Sequence, residues 1–136
     1  MSRSTFAAIA ALVSLVNAIP AFVVPDALAS LYGVILDRQT LLLGQTLAAS
    51  YLGYAVINWM TRDGSELSSR RGIAAGNLVA WAIGGVLWTY AASTGLTNAV
   101  GWIVVGLSVV FSLGWAYFTF ADRGIEGRTT IASATR

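Results

Sequence analysis

The stretch that decides the fold is the uncharged run at 72–121, GIAAGNLVAWAIGGVLWTYAASTGLTNAVGWIVVGLSVVFSLGWAYFTFA. It holds 50 residues without Asp, Glu, Lys or Arg. A hydrocarbon core about 30 Å thick needs about 20 helical residues for one crossing, so this run is long enough for two. The polar segment STGLTN at 93–98 predicts the turn between them. We therefore expect a pair of membrane-spanning helices here.

Two shorter uncharged runs precede it. Arg3 and Asp26 enclose 22 uncharged residues, and Arg38 and Arg62 enclose 23, so each run fits one crossing. We place the four spans near 4–24, 40–61, 72–92 and 98–121. Backbone hydrogen bonding in lipid leaves only helices or closed barrels, and these runs lack the alternation of barrel strands. The sequence predicts an all-α integral membrane four-helix bundle.

Composition supports lipid as the solvent. Of 136 residues, 57% are apolar and 10% are charged, whereas about a quarter of an ordinary soluble domain is charged. We expect one transmembrane domain at 1–121 and a polar cytoplasmic tail at 122–136. The chain has no Cys and no His, which excludes thiol chemistry and the usual ligands of haem and zinc. A net charge of +2 without a basic stripe gives no indication of nucleic-acid binding.

The arginines predict the orientation. With the amino terminus inside, the outer segments hold only Arg38. The cytoplasmic segments hold the other seven, which are Arg3, Arg62, Arg70, Arg71, Arg123, Arg128 and Arg136. This asymmetry favours both termini on the cytoplasmic side.

The segment between the first two spans shows helical spacing. Pro25 ends the first helix, Asp26 offers an N-cap, and apolar residues recur to Leu36. We predict a short amphipathic helix at 27–37 lying at the outer interface; the alternative is a solvated loop. Ala27-Leu28-Ala29 also resembles a signal-peptide cleavage site, but the apolar run before it is long for a signal sequence, so we expect the first span to be retained.

No Asp, Glu, Arg or Lys lies inside the four predicted spans. Ion-coupled carriers usually place such groups within the membrane. The small multidrug exporters need a membrane-embedded glutamate, and intramembrane serine proteases need a histidine, so both classes are excluded. We expect no enzyme activity, cofactor or metal.

Four amides form two predicted layers. Asn17 and Gln45 have similar depths in the outer half, and Asn58 and Asn77 lie near the inner face. They either link neighbouring helices, at about 0.6 kcal/mol per hydrogen bond, or offer polar groups to a ligand.

Pro20 removes the hydrogen bond to the Val16 carbonyl, and Asn17 is one turn away to compensate. The predicted kink is either a pocket wall or a bend that fits the bundle. Three aromatic residues, Tyr51, Tyr54 and Trp81, lie in the middle of their spans. They either line a pocket or fill the core. The candidate ligand-binding set is Asn17, Pro20, Gln45, Tyr51, Tyr54 and Trp81.

Small residues and aromatics mark further surfaces. Gly72 and Gly76 form a G-x-x-x-G pattern, and Ser108 and Ser112 form a similar one, which predicts close helix packing within the bundle or against another subunit. Trp115 is among the aromatics that we expect in a belt at the inner interface.

The chain resembles the DoxX-like group of small four-helix bacterial membrane proteins. The residues that carry the resemblance are Pro25, Leu31-Tyr32-Gly33, Leu43-Gly44, Gly53 and Asn58-Trp59. The resemblance implies a location in the bacterial cytoplasmic membrane. The group takes its name from a subunit of a thiosulfate:quinone oxidoreductase, but no residue here carries over a catalytic role.

Two functions remain open. The first is a non-enzymatic accessory subunit of a larger membrane complex, with protein partners or further copies of itself beside lipid. The second is a binder or carrier of a neutral hydrophobic molecule, such as a quinone, lipid or pigment, within the bundle.

Overall fold

A computed structural model describes residues 1–64 and 66–121, and these ranges contain helices and no strand. The helices are α1 (Arg3–Val23), α2 (Pro25–Leu31), α3 (Arg38–Thr61), α4 (Leu67–Ser93) and α5 (Gly101–Ala121). By length and composition, α1, α3, α4 and α5 can each cross a membrane. The prediction of an all-α protein with four apolar spans is confirmed for this part of the chain. The predicted tail at 122–136 lies outside the described residues.

The start of α4 differs from the prediction. This helix begins at Leu67 rather than near residue 72, so Arg70 and Arg71 belong to its N-terminal turns and not to a loop. The Glu66 carboxylate accepts hydrogen bonds from the Ser68 and Ser69 hydroxyls at 2.8 and 3.0 Å. These bonds lower the pKa of Glu66. A carboxylate fixed before the first turn stabilises a helix N-terminus. Because the prediction counts only uncharged residues, it misses the charged first turns of α4.

The boundaries predicted for the short helix, 27–37, are wrong. Helix α2 begins at Pro25, where a missing N–H costs no hydrogen bond, and Asp26 therefore lies in its first turn and is not the N-cap. The helix ends at Leu31 because Gly33 adopts a φ of 74°, a conformation that favours glycine.

The residue that caps a helix in this region is Asp37, at the start of α3. Its carboxylate accepts hydrogen bonds from the Gln39 and Thr40 N–H groups at 2.9 and 2.8 Å. The Thr40 hydroxyl accepts the Asp37 N–H at 2.8 Å, which completes a capping box. Helix α3 therefore begins two residues before the predicted span.

The four long helices form two packed pairs, α1 with α3 and α4 with α5. We call the end with the start of α1 and the α3–α4 connection the arginine end, because Arg3, Arg62, Arg70 and Arg71 lie there. We call the opposite end, with residues 24–37 and the α4–α5 connection at 94–100, the α2 end. The two pairs make few contacts with each other, and those at the arginine end include the Phe6–Trp115 ring contact and the Asn58–Asn77 hydrogen bonds.

Aromatic side chains join α1 to α5 at the arginine end. The Phe6 ring centroid lies 5.4 Å from Phe111, 5.1 Å from Trp115 and 5.4 Å from Phe118. Trp115 is fully buried in this cluster, so its predicted place in an interfacial belt is wrong. Gly114 makes the approach possible, because a Cβ there would overlap the Phe6 ring.

Polar contacts join α3 to α4 and α1 to α3 at the same end. Asn58 on α3 and Asn77 on α4 exchange two side-chain hydrogen bonds, both 3.0 Å long, and both residues are buried. The Arg3 guanidinium donates to the carbonyls of Thr61 and Arg62 at 3.3 and 3.4 Å. A cation at the last carbonyls of α3 complements the dipole of that helix.

Candidate functional site

A cavity of about 550 Å³ separates the two helix pairs toward the α2 end. The residues of α1 and α3 that face it include small ones, namely Ser14, Ala21, Gly44 and Ala48. The aromatic cluster that joins α1 to α5 lies at the arginine end. Small residues on the α1–α3 side therefore leave space between the pairs toward the α2 end.

One wall of the cavity carries polar groups. Asn17 from α1 and Gln45 and Tyr51 from α3 line it. The Asn17 side-chain nitrogen donates to the Val13 carbonyl at 2.8 Å, one turn back in the same helix. Its amide oxygen remains available to accept a hydrogen bond. The wall thus offers uncharged donors and acceptors within a mainly apolar surface.

Aromatic side chains line the cavity on the α4 side and beside the cover. Trp81 stacks on Phe111 with ring centroids 4.5 Å apart and an interplanar angle of 20°. Trp88 packs against Tyr32 with centroids 5.2 Å apart. Trp81, Trp88 and Tyr32 all line the cavity, and their ring contacts hold them in place.

Helix α2 and the loop after it cover the α2 end of the cavity, which Leu28, Tyr32 and Leu36 help to line. Asn98 ties this cover to the α4–α5 connection. Its backbone N–H donates to the Tyr32 carbonyl and its side-chain nitrogen to the Leu31 carbonyl, both at 2.9 Å. A Cβ at Gly33 would lie 3.2 Å from that of Asn98, so a larger residue there would disturb the contact. Burial raises the pKa of the Tyr32 hydroxyl.

Asn98 also explains why α5 begins at Gly101 and not at residue 98. Its side-chain oxygen accepts the Val100 N–H at 2.9 Å. The N–H groups of Gly101 and Trp102 bond to carbonyls three residues back, which is a turn pattern and not that of an α-helix.

The structure brings four of the six candidate ligand-binding residues to this cavity. Asn17, Gln45, Tyr51 and Trp81 line it, whereas Pro20 and Tyr54 are not among the lining residues. Helix α1 continues through Pro20 to Val23. The expectation that Asn17 compensates for Pro20 at the Val16 carbonyl is wrong, because Asn17 donates to Val13.

Sequence reasoning missed Trp88, Tyr32 and Gly44 as lining residues. Trp and Tyr are the residues typical of an aromatic belt at a membrane interface, so the sequence does not distinguish Trp88 and Tyr32 as lining residues. A glycine adds nothing to the apolar pattern of a helix, so Gly44 gives no signal either. Only the position of α2 over the two helix pairs reveals that these residues share one cavity with the candidate set.

The residues predicted to pack helices occupy different surroundings. The predicted link between Asn58 and Asn77 is present, whereas within the described ranges no hydrogen bond joins Asn17 to Gln45. Ser108 is buried, and a Cβ at Gly85 would lie 3.0 Å from it. Ser112, one turn further along α5, is half-buried. Gly72 and Gly76 are exposed, with open space where a Cβ would stand.

No protein-family model, curated protein or solved structure matches this chain. The resemblance to the DoxX-like group is therefore neither supported nor contradicted, and it stays a prediction.

The lining of the cavity is uncharged. Among the described residues, no Asp, Glu, Arg or Lys lines the cavity, and no cluster of His, Cys, Asp and Glu there can hold a metal ion. The amides and hydroxyls can exchange hydrogen bonds with an uncharged polar group, while the aromatic and aliphatic side chains bury apolar surface.

Proposed function

We propose that this protein binds a neutral, largely apolar small molecule, such as a lipid, quinone or pigment, in the cavity between the α1–α3 and α4–α5 pairs. The observation that carries the proposal is the cavity itself, of about 550 Å³. Ligand sites in proteins typically occupy about 300–1,000 Å³ and combine an apolar lining with a few placed polar groups.

The lining supports a neutral ligand. An ion placed among side chains with no opposite charge loses its hydration without compensation, which is costly in an apolar environment. An uncharged carbonyl, hydroxyl or amide needs only a hydrogen-bond partner, and Asn17, Gln45 and Tyr51 supply such partners on one wall.

Native mass spectrometry of the protein, extracted in a mild detergent, tests this proposal. The expected result is a bound small molecule at up to one copy per chain. Gln45→Leu and Tyr51→Phe each remove one polar group from the cavity, and we expect occupancy at limiting ligand to fall about fivefold for each.

Tyr54→Phe is the matched control, because Tyr54 lies on the same helix as Tyr51 but does not line the cavity. We expect this variant to retain the occupancy of the wild type. A protein that carries no small molecule, or one whose occupancy is the same in all three variants, contradicts the proposal.

A second candidate function is that of an accessory subunit of a membrane complex. The exposed glycines Gly72 and Gly76 favour it, because small residues let another helix approach closely. We expect Gly72→Leu with Gly76→Leu to release a partner that co-purifies with the wild type in mild detergent. If the wild type runs as a lone monomer, or if the double variant retains the partner, this candidate fails.

For the location, we propose a multi-pass protein of the bacterial cytoplasmic membrane with both termini inside, supported by the arginine asymmetry. The chain has no cysteine, so single-cysteine variants report one position each. In intact cells, an impermeant thiol reagent should label Leu96→Cys and leave Ser68→Cys unlabelled. The reverse pattern overturns the orientation.

A further inference from the structure

We propose that the ligand is a neutral amphiphile and that the cavity encloses only part of it, an inference that rests on the proposed function. Its uncharged, oxygen-bearing headgroup lies in the cavity, and its hydrocarbon chain leaves between α1 and α5 into the bilayer. Three features of the structure carry this inference, namely the volume of the cavity, its open edge and its cover.

The volume limits how much of a long-chain molecule the cavity encloses. A cavity of about 550 Å³ lies within the range of about 300–1,000 Å³ that is typical of sites for drug-sized molecules. A headgroup and the first part of a chain are of that size, whereas a lipid with a long chain extends beyond the walls.

The edge between α1 and α5 offers the way out. Leu12 and Val16 on α1 and Ile103 on α5 line the cavity and are 60%, 62% and 62% exposed, respectively. These three side chains are aliphatic and therefore suit a hydrocarbon chain that continues into lipid. The aromatic cluster around Phe6 closes this edge only at the arginine end.

In the other directions, side chains held by hydrogen bonds or ring contacts line the cavity, although Leu47 on α3 also lines it and is 56% exposed. The α2 end is covered by α2 and its loop, which Asn98 ties down through two hydrogen bonds. Across the edge between α3 and α4, the α4 residues that line the cavity are Trp81 and Trp88, both of which are held in ring contacts. The polar groups of Asn17 and Gln45 lie within the cavity, which places the headgroup inside and the chain outside.

Photolabelling in lipid nanodiscs tests the inference. The probes are monoacylglycerols with a 16-carbon chain that carry a diazirine either beside the headgroup or at mid-chain. We expect saturable labelling near Gln45 and Tyr51 by the first probe, and near Leu12, Val16 or Ile103 by the second. A 16-carbon lysophosphatidic acid has the same chain with a charged headgroup and should not compete.

Blocking the edge separates this inference from the proposed function. Val16→Trp and Ile103→Trp should each reduce labelling by the 16-carbon probes at least about fivefold more than labelling by a 4-carbon monoacylglycerol probe, whose chain is too short to pass the edge. The matched controls are Ile19→Trp on α1 and Val110→Trp on α5, which are exposed positions outside the cavity lining. They should behave as the wild type does.

Each remaining outcome has a defined meaning. If every probe fails to give saturable labelling of the cavity, both this inference and binding of glycerol-type neutral ligands are overturned. If the probes label the cavity but the two edge variants match their controls, only the route between α1 and α5 is overturned. Loss of labelling in Leu47→Trp alone places the route between α3 and α4 and equally overturns it. Stronger competition by a polyprenyl alcohol than by unlabelled monoacylglycerol identifies an isoprenoid source of the same headgroup chemistry and supports the inference.

Discussion

The two ends of the bundle use the same types of polar residue in opposite ways. At the arginine end, Asn58 and Asn77 satisfy each other through two hydrogen bonds and are buried. Toward the α2 end, Asn17 and Gln45 both line the cavity, and no hydrogen bond between them is present in the described residues. The side chains are chemically alike, but only the second pair retains hydrogen-bonding capacity for another molecule.

The packing of side chains also differs between the two ends. Large rings around Phe6 and Trp115 fill the arginine end, whereas small residues of the α1–α3 pair, such as Ser14 and Ala48, line the cavity. The comparison indicates that one end of the bundle provides stability and the other end provides space. Substitutions should therefore affect stability at the first end and ligand occupancy at the second.

The largest effect on stability is expected for Phe6→Ala. Phe6 is buried and contacts three other rings, so its removal leaves a cavity where the two helix pairs meet. We expect a loss of about 3–5 kcal/mol in the free energy of unfolding, measured by reversible denaturation in mixed micelles. Phe22→Ala at an exposed position of α1 is the control and should change it by about 0.5 kcal/mol or less. Equal losses in both variants would show that the Phe6 cluster does not hold the pairs together.

Asn58→Leu should have the next largest effect. It leaves the Asn77 side-chain oxygen buried without a partner, and we expect a loss of about 1–2 kcal/mol. The double variant Asn58→Leu with Asn77→Leu removes both partners and should recover most of that loss. Gln45→Leu should leave the free energy of unfolding unchanged within about 0.5 kcal/mol. A loss in Gln45→Leu as large as that in Asn58→Leu would remove the distinction between the two amide layers.

The sequence predicts some features of the fold and misses others. The four spans follow from the lengths of the uncharged runs, and the similar depth of Asn58 and Asn77, four residues before Arg62 and five after Gly72, predicts their contact. Trp115 was assigned to the wrong environment, because a tryptophan near a helix end has the same sequence signature in a belt as in a core. The side of a helix that faces a partner depends on the packing of all four helices, which no single run encodes.

The cavity could be predicted only in part. Asn17, Gln45, Tyr51 and Trp81 were identified because polar and aromatic residues within a span need an explanation. The existence of the cavity depends on where α2 lies and on small residues of the α1–α3 pair that line it. The start of α2 at Pro25 and its end before Gly33 determine that position, and both are local conformations that the apolar spacing did not reveal.

A smaller effect is expected for Asn98→Ala at the cover of the cavity. The substitution removes the hydrogen bonds to the Leu31 carbonyl and from the Val100 N–H. We expect amide hydrogen exchange at 28–34 and 98–101 to accelerate about fivefold, because each segment loses one hydrogen bond. Thr94→Ala is the control, because Thr94 bonds only to nearby carbonyls of α4. Equal exchange in the two variants would show that Asn98 does not fasten α2.

The smallest effect concerns Asp37 and pH. Hydrogen bonds from Thr40 and Gln39 hold the pKa of the Asp37 carboxyl below its usual value of about 3.9. The ionised carboxylate therefore stabilises the fold above that value, and this contribution is lost as the pH falls through the lowered pKa. Asp37→Asn retains a capping side chain without a titrating group. The drop in the thermal midpoint between about pH 5 and about pH 2 should be smaller in this variant than in the wild type. Equal drops contradict the assignment.

The most direct test of the account compares two glycines on α3. Gly44 lines the cavity and Gly53 does not, and both have open space where a Cβ would stand. Ligand occupancy of Gly44→Leu and Gly53→Leu is to be measured by native mass spectrometry. The two changes have the same effect on helix propensity. They differ only in whether the new side chain enters the cavity. We predict at least about a tenfold loss of occupancy in Gly44→Leu and none in Gly53→Leu. Equal occupancy in both would show that the cavity is not where the ligand binds.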